Sequence, residues 1–318
     1  MNPTIPEQMK AAAIDRFGGP EVLKSRTLPV PKPADDEILI RLETAGIGVW
    51  DPWLREGGMD EGNTRFPMVL GSDGAGEVVA VGAKAKRFQI GDRVYAYGFP
   101  GGFYAEFAKV KEDNAATIPP GVRMDEAGAL GADGITALRG LDDELELQPS
   151  QRLLIFGASG GIGHIAVQLA KRMGAEVLAV ASGEDGVELV ETLGADAVID
   201  GHHDDFVKAV RDFAPSGFDA ALILAGNDKL DEALKSMKKG GRVAFPNGVE
   251  PEPKVPAGVE RHAYDGTPDA KAFARLNELI GDQPFRIELN RVYSLDEVAQ
   301  AHREVEKHHV GKLAVRLH

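Results

Sequence analysis

Residues 155–163 read IFGASGGIG, and the fold turns on whether this run grips a dinucleotide or only bends the chain. Taken alone, Ala158, Gly160 and Gly163 fit the G-x-G-x-x-G spacing only when its first glycine is relaxed to alanine. Context decides. RLLIFG (152–157) is a short β-type run, and HIAVQLAKRM (164–173) sets Ile165, Leu169 and Met173 on one helical face, with Gly174 as a stop. EVLAVAS (176–182) returns to strand, so the glycines stand between a strand and a helix of a βαβ unit. Glycines let a backbone approach a pyrophosphate, and the N–H groups that open a helix face its negative charge. Ser159, Gly160, Gly161, Ile162 and Gly163 are therefore expected to hold a dinucleotide.

The alternation continues downstream. VELVETLG is helical, DAVID (196–200) strand, DDFVKAVRDFA helical and FDAALILAG (218–226) a buried strand. KLDEALKSMKKGG (229–241) is expected as a helix with a basic C-terminal end, and RVAFPNG (242–248) as a strand. Strands alternating with helices of this length predict a parallel sheet, fold class α/β. Upstream, EILIRLETAGI (37–47), GEVVAVG (76–82) and DRVYAYG (92–98) alternate at period two between Gly- and Pro-rich turns, which predicts a small barrel or sandwich. PPG at 119–121 marks a boundary. In YSLDEVAQAHREVEKHHVGKLAVRLH (293–318), Ser294 and Glu297 form a capping box before a helix. Periodicity leaves open which domain LAVRL completes.

The 318 residues exceed the roughly 100–200 of one domain, so two are expected. A formal charge of −14 argues against a nucleic-acid partner, because phosphate binding draws on clustered Lys and Arg. Without cysteine the chain forms neither disulfides nor thiolate zinc sites. MNPTIPEQMK has no apolar signal core, and no apolar run approaches the ~20 residues of a membrane span. A cytoplasmic protein with a small-molecule substrate is the expectation, with no membrane partner.

The second strand's tip selects the dinucleotide. An acid there hydrogen-bonds the ribose 2′-OH and repels a 2′-phosphate. Here the tip is Ser182-Gly183, which favours NADPH over NADH, although Glu184 and Asp185 stand just beyond and the loop holds no Lys or Arg. His202 and His203, after the third strand, are either phosphate donors or plain surface residues.

In this order, MKAAAIDRFGGPEVLKSRTLPVP, EILIRLETAGI, FPMVLGSDGAGEVVAVG, GDRVYAY and IFGASGGIGHIAVQLAKRMGAEVLAVA resemble the medium-chain dehydrogenase/reductase superfamily, closest to its zinc-free quinone oxidoreductase branch. The resemblance implies a GroES-like β-rich catalytic domain at 1–123 and 287–318. A Rossmann doubly wound parallel-sheet domain at 124–286 is inserted in it, with the active site in the cleft. It places the nicotinamide half at 225–227 and 245–247, with Ala225, Gly226, Phe245 and Asn247 as contacts. A homodimer through the sheet edge at 259–264 is also implied.

Zinc-dependent members carry Cys-His where this chain has Gly48-Val49, His-Glu where it has Ser72-Asp73, and a third ligand near Ala132. Only Asp73 could ligate, and tetrahedral zinc needs three or four donors, so no metal site is expected. Without a Lewis acid, alcohol oxidation loses its main support. Acceptors that delocalise developing charge, quinones and α,β-unsaturated carbonyls, fit better; they need juxtaposition, water exclusion and a hydrogen-bond donor.

Branch members commonly have Asn-Pro-x-Asp where this chain has Gly48-Val49-Trp50-Asp51, and only the Asp survives. Asp51 orients the loop, binds a backbone N–H or manages a proton. Trp50 and Trp53 are either walls of an apolar substrate pocket or core residues. Thr136 matches a family threonine near the nicotinamide. Asp133 is either a buried proton donor or a solvated helix start; Tyr95, Tyr97 and Tyr104 are further donor candidates. The expectation is an NADPH-dependent, zinc-independent reductase of quinones or α,β-unsaturated carbonyls. The rivals are a zinc-free alcohol or aldehyde reductase and an NADPH-binding regulatory protein without catalysis.

Overall fold

The computed structural model describes residues 4–202, 206–227 and 229–318, which divide into two compact units. The first comprises Met1–Ala132, Pro268–Ala274 and Leu289–His318. Its main sheet is built on Glu37–Ile47, whose alternation turns Ile38, Ile40 and Leu42 into the core with no exposed surface. The first half of that strand pairs antiparallel with Phe107–Lys111 and the second half with Lys312–Arg316, while Asp73–Val81 pairs along its length. Leu289–Ser294 lies outside Lys312–Arg316; Arg93–Tyr97 and Ala115–Thr117 extend the other side. LAVRL therefore completes the first unit. A smaller sheet of Lys24–Pro29, Gln8–Ile14 and Met68–Val69 packs Met9 and Ala11 with Leu39 and Phe107.

The second unit, Asp133–Thr267 with Arg275–Glu288, holds a six-stranded parallel sheet. From one edge the strands are Ala197–Asp200, Glu176–Ala181, Arg152–Phe156, Phe218–Ile223, Met237–Pro246 and Glu260–Tyr264. In chain order this is the 3-2-1-4-5-6 arrangement of a Rossmann fold. Ligands of such sheets bind beyond the strands' C-terminal ends where the order reverses, here at the ends of Arg152–Phe156 and Phe218–Ile223.

Two expectations need correction. The helix expected over 229–241 is only Leu230–Leu234, and Met237 already pairs with Phe218 as the start of a strand. The reason lies in KSMKKGG, which offers no apolar stripe, while Gly240 takes a left-handed φ of +79° that ends any helix. Residues 124–132 and 268–274 group with the first unit. Of the two alternatives for Asp133 the buried one holds, since it lies buried in the first turn of the helix Gly131–Leu138. Among the described residues no helix is long and apolar enough to cross a membrane.

Candidate functional site

The glycine-rich loop begins where Arg152–Phe156 ends. Gly157 adopts φ +86°, and its N–H and that of Ala158 both donate to the Val180 carbonyl, at 3.1 and 2.9 Å. The tight turn thus falls on Gly157, one residue before the alanine to which the motif spacing assigned it. The helix Gly161–Arg172 opens with His164 N–H donating to the Gly160 carbonyl at 3.1 Å. The amides of Gly161, Ile162 and Gly163 precede that bond and have no acceptor within the helix. No acidic side chain stands in its first turn. A methyl on Gly163 would lie 2.2 Å from the Gly157 carbonyl oxygen, whereas one on Gly160 would find its nearest neighbour at 3.6 Å. Gly163 is fixed by packing; Gly160 leaves open space of the kind a pyrophosphate uses.

Ser159 is buried, and its hydroxyl accepts Ser182 N–H at 3.3 Å, so its side chain ties the loop to the second strand. Ser182 Oγ lies 2.8 Å from His202 Nε2, and His202 N–H donates to Asp200 Oδ1 at 2.9 Å. The tips of the second and third strands are joined by a hydroxyl and an imidazole. Glu184 and Asp185 are exposed in the first turn of Gly183–Thr192. His203 lies outside the described residues.

At the fourth and fifth strand ends, Ala225 is exposed and Gly226 half-buried. Asn247 is exposed; its side-chain amide donates to Asp265 Oδ1 at 2.9 Å and its N–H to the Tyr264 carbonyl at 2.8 Å. The Phe245 ring belongs to the sheet's core, with the Arg261 guanidinium 4.7 Å above it, so only its backbone reaches the strand end. Thr136 is buried, and its carbonyl accepts the Tyr264 hydroxyl at 3.0 Å. Burial, then Glu144, hold that phenol above its ordinary pKa, as a donor.

In the first unit the loop 48–50 leads into the helix Asp51–Arg55. Asp51 has no exposed surface; its Oδ2 accepts Gly48 N–H at 2.8 Å and the Tyr104 hydroxyl. Burial, then the Asp51 and Asp73 carboxylates, hold the Tyr104 phenol well above its ordinary pKa. Tyr95 is likewise buried, its ring edge-on to Phe273 at 5.2 Å. Trp50 is half-buried, donates from Nε1 to Ser72 Oγ at 2.9 Å and has the Lys312 ammonium 5.2 Å from its ring centre. Trp53 is 50% exposed. Sequence reasoning passed over Arg55, which is 1% exposed and donates to the Gly18 carbonyl at 2.9 Å. Its Nη1 lies 3.0 Å from Nδ1 of His302, 247 residues away.

These residues do not fit a zinc ion. A side chain on Gly48 would run into the Trp50 indole, 2.4 Å from a modest methyl, and the Asp73 carboxylate accepts Ala132 N–H at 3.0 Å. Among the described residues no group of three or more His, Asp or Glu is arranged to hold a metal.

One chain carries a Rossmann sheet with a glycine-rich turn and a GroES-like β-unit completed by the strand Lys312–Arg316, the two parts of a medium-chain oxidoreductase fold. Comparison with known proteins agrees. Residues 34–120 match the family model described as alcohol dehydrogenase GroES-like domain, and residues 161–258 the one described as zinc-binding dehydrogenase. The second match includes none of positions 48, 49, 72, 73 and 132. The quinone oxidoreductase of Mus musculus is 30% identical over 311 residues, 93% of this chain and 94% of that protein. An alcohol dehydrogenase of Schizosaccharomyces pombe is 30% identical over 279 residues, 78% of this chain and 79% of that protein. The solved quinone oxidoreductase of Coxiella burnetii superposes with a TM-score of 0.84 at 28% identity, covering 98% of this chain and all of that one. The chain belongs to the medium-chain dehydrogenase/reductase superfamily, in its quinone oxidoreductase-like branch, and is an oxidoreductase of that type.

Proposed function

We propose that this protein is an NADPH-dependent, zinc-independent reductase of quinones or α,β-unsaturated carbonyls. The donor set of the first unit carries the reading: glycine, serine and alanine stand at three of the metal positions, and the one carboxylate is engaged by a backbone amide. With no tetrahedral ligand set, the acceptor must spread the incoming charge itself. The names of the mouse and Coxiella relatives point the same way.

Bound NADPH supplies the hydride. The amides of residues 161–163 bind its pyrophosphate, and Ser182 with His202 binds the 2′-phosphate, a hydroxyl and an imidazole being suited to a phosphomonoester. Thr136, Ala225, Gly226 and Asn247, with the backbone of Phe245, orient the nicotinamide half. Trp53 and Val49, 50% and 67% exposed, offer apolar surface to the acceptor, with Trp50 fixed behind them. Asp51 acts through the loop that it holds, since its Oδ2 already accepts two donors. A homodimer through the edge strand Glu260–Tyr264 belongs to the same proposal.

The test is oxidation of NADPH and of NADH against a simple quinone and a simple enone, with chelator present. Turnover that survives chelator and favours NADPH supports the proposal; loss of activity to chelator sinks the zinc-independent part. The name of the Schizosaccharomyces pombe relative favours a second reading, reduction of an aldehyde, which turnover of saturated aldehydes in preference to both acceptors would establish. Tight NADPH binding with no turnover of any acceptor would indicate a regulatory protein.

A further inference from the structure

The helix Asp51–Arg55 is five residues long and has no side-chain cap. So short a helix does not hold itself together in water. Its two ends are nonetheless buried charged residues, which persist only where they are paired and hydrogen-bonded.

The partners close a ring. Asp51 Oδ2 accepts the Tyr104 hydroxyl. The Tyr104 ring meets the His302 imidazole edge-on, with centroids 5.7 Å apart and planes at 78°. His302 Nδ1 lies 3.0 Å from Arg55 Nη1, and Arg55 returns to Asp51 through one turn of helix. A guanidinium only donates, so Nδ1 is the acceptor and the neutral imidazole carries its proton on Nε2. That Nε2 is buried without a hydrogen-bond partner, so the imidazole is oriented for Arg55 alone. Burial, then the adjacent Arg55, lower the His302 pKa to about 3, which keeps this arrangement across the neutral range. Arg55 is secured further by the Gly18 carbonyl and by Glu56.

We infer that Tyr104, His302 and Arg55 are positioning residues, whose ring of buried contacts with Asp51 fixes the helix so that Val49 and Trp53 present a rigid apolar wall to the acceptor. The wall's use rests on the reductase reading above; the ring itself does not.

The chain's two tryptophans, Trp50 and Trp53, both lie in this segment, so indole emission reports on it directly. In a W50F background the signal comes from Trp53 alone. Adding Y104F removes one hydroxyl and almost no volume. Trp53 anisotropy should then fall and its quenching by acrylamide rise by about twofold, as a charged hydrogen-bond partner is lost. In the chain that keeps Trp50, Y104F should raise KM for the acceptor about fivefold, with kcat within about twofold and NADPH affinity unchanged. H302Q, whose amide oxygen can still accept from Arg55, should stay near wild type, while H302L should behave like Y104F.

An unchanged Trp53 signal in W50F/Y104F overturns the ring, as does identical behaviour of H302Q and H302L. A changed signal with an unchanged acceptor KM overturns the wall. If W50F fails to fold, the same comparison between wild type and Y104F, with both indoles present, decides the point. Should the wild type bind NADPH but turn over no acceptor, the reductase reading fails and the fluorescence test of the ring still stands.

Discussion

Gly160 and Gly163 sit three residues apart in one motif yet predict opposite failures. A methyl at 160 meets open space, so G160A should leave the melting temperature within a degree or two while weakening NADPH binding by about tenfold, read by nucleotide fluorescence. A methyl at 163 collides with backbone, so G163A should lose about 2–3 kcal/mol of stability in urea unfolding. At Ser182, an introduced carboxylate would hydrogen-bond a ribose hydroxyl and repel a phosphate. S182D should move the ratio of kcat/KM values towards NADH by roughly thirtyfold, equivalent to about 2 kcal/mol. These residues could be singled out in the sequence because the proposed phosphate grip is local: strand, glycines and helix are contiguous. The sequence did not show that Gly157 takes the left-handed turn, since only the backbone path separates it from Ala158. Nor did it show that His202 meets Ser182, a contact made 20 residues away.

Among elements, the Asp51–Arg55 helix depends most on distant partners, and its acid sensitivity follows. His302 stays neutral in the folded protein down to about pH 3, whereas the unfolded chain protonates it near 6.5. Below that higher value the unfolded state binds the extra proton. The site's contribution is therefore full above about pH 6.5 and falls with pH until about 3, by about 2 kcal/mol at pH 5. Urea midpoints at pH 7 and pH 5 should differ accordingly, and H302Q should flatten the difference. Nothing in DPWLREGG marks Arg55 as buried, because both its hydrogen-bonding imidazole and its Gly18 acceptor lie far away in sequence. The opposite error occurred at 235–241. There a lysine-rich run that looked like the end of a helix belongs, from Met237 on, to a strand, because it has no apolar stripe to bury as a helix and pairs with Phe218.

For the whole molecule, the edge strand Glu260–Tyr264 bears the oligomer prediction. Ala263 is exposed on it, and A263K should reduce the sedimenting mass to that of one chain if two copies join across this edge; an unchanged mass would move the interface elsewhere. Fold class was legible throughout, since alternating βαβ periods and the order of motifs extend over the full chain. The sites of the first unit were less so, because Asp51, Tyr104, Ser72 and Lys312 come together only through the sheet. That sheet has a temporal consequence. Its strand Glu37–Ile47 is made early but pairs with Lys312–Arg316, which is made after every strand of the six-stranded parallel sheet. All six strands of the parallel sheet have emerged by Tyr264. During translation the second unit can therefore mature first, while the earlier-made strands of the first unit wait, with an open sheet edge, for Lys312–Arg316 to be made.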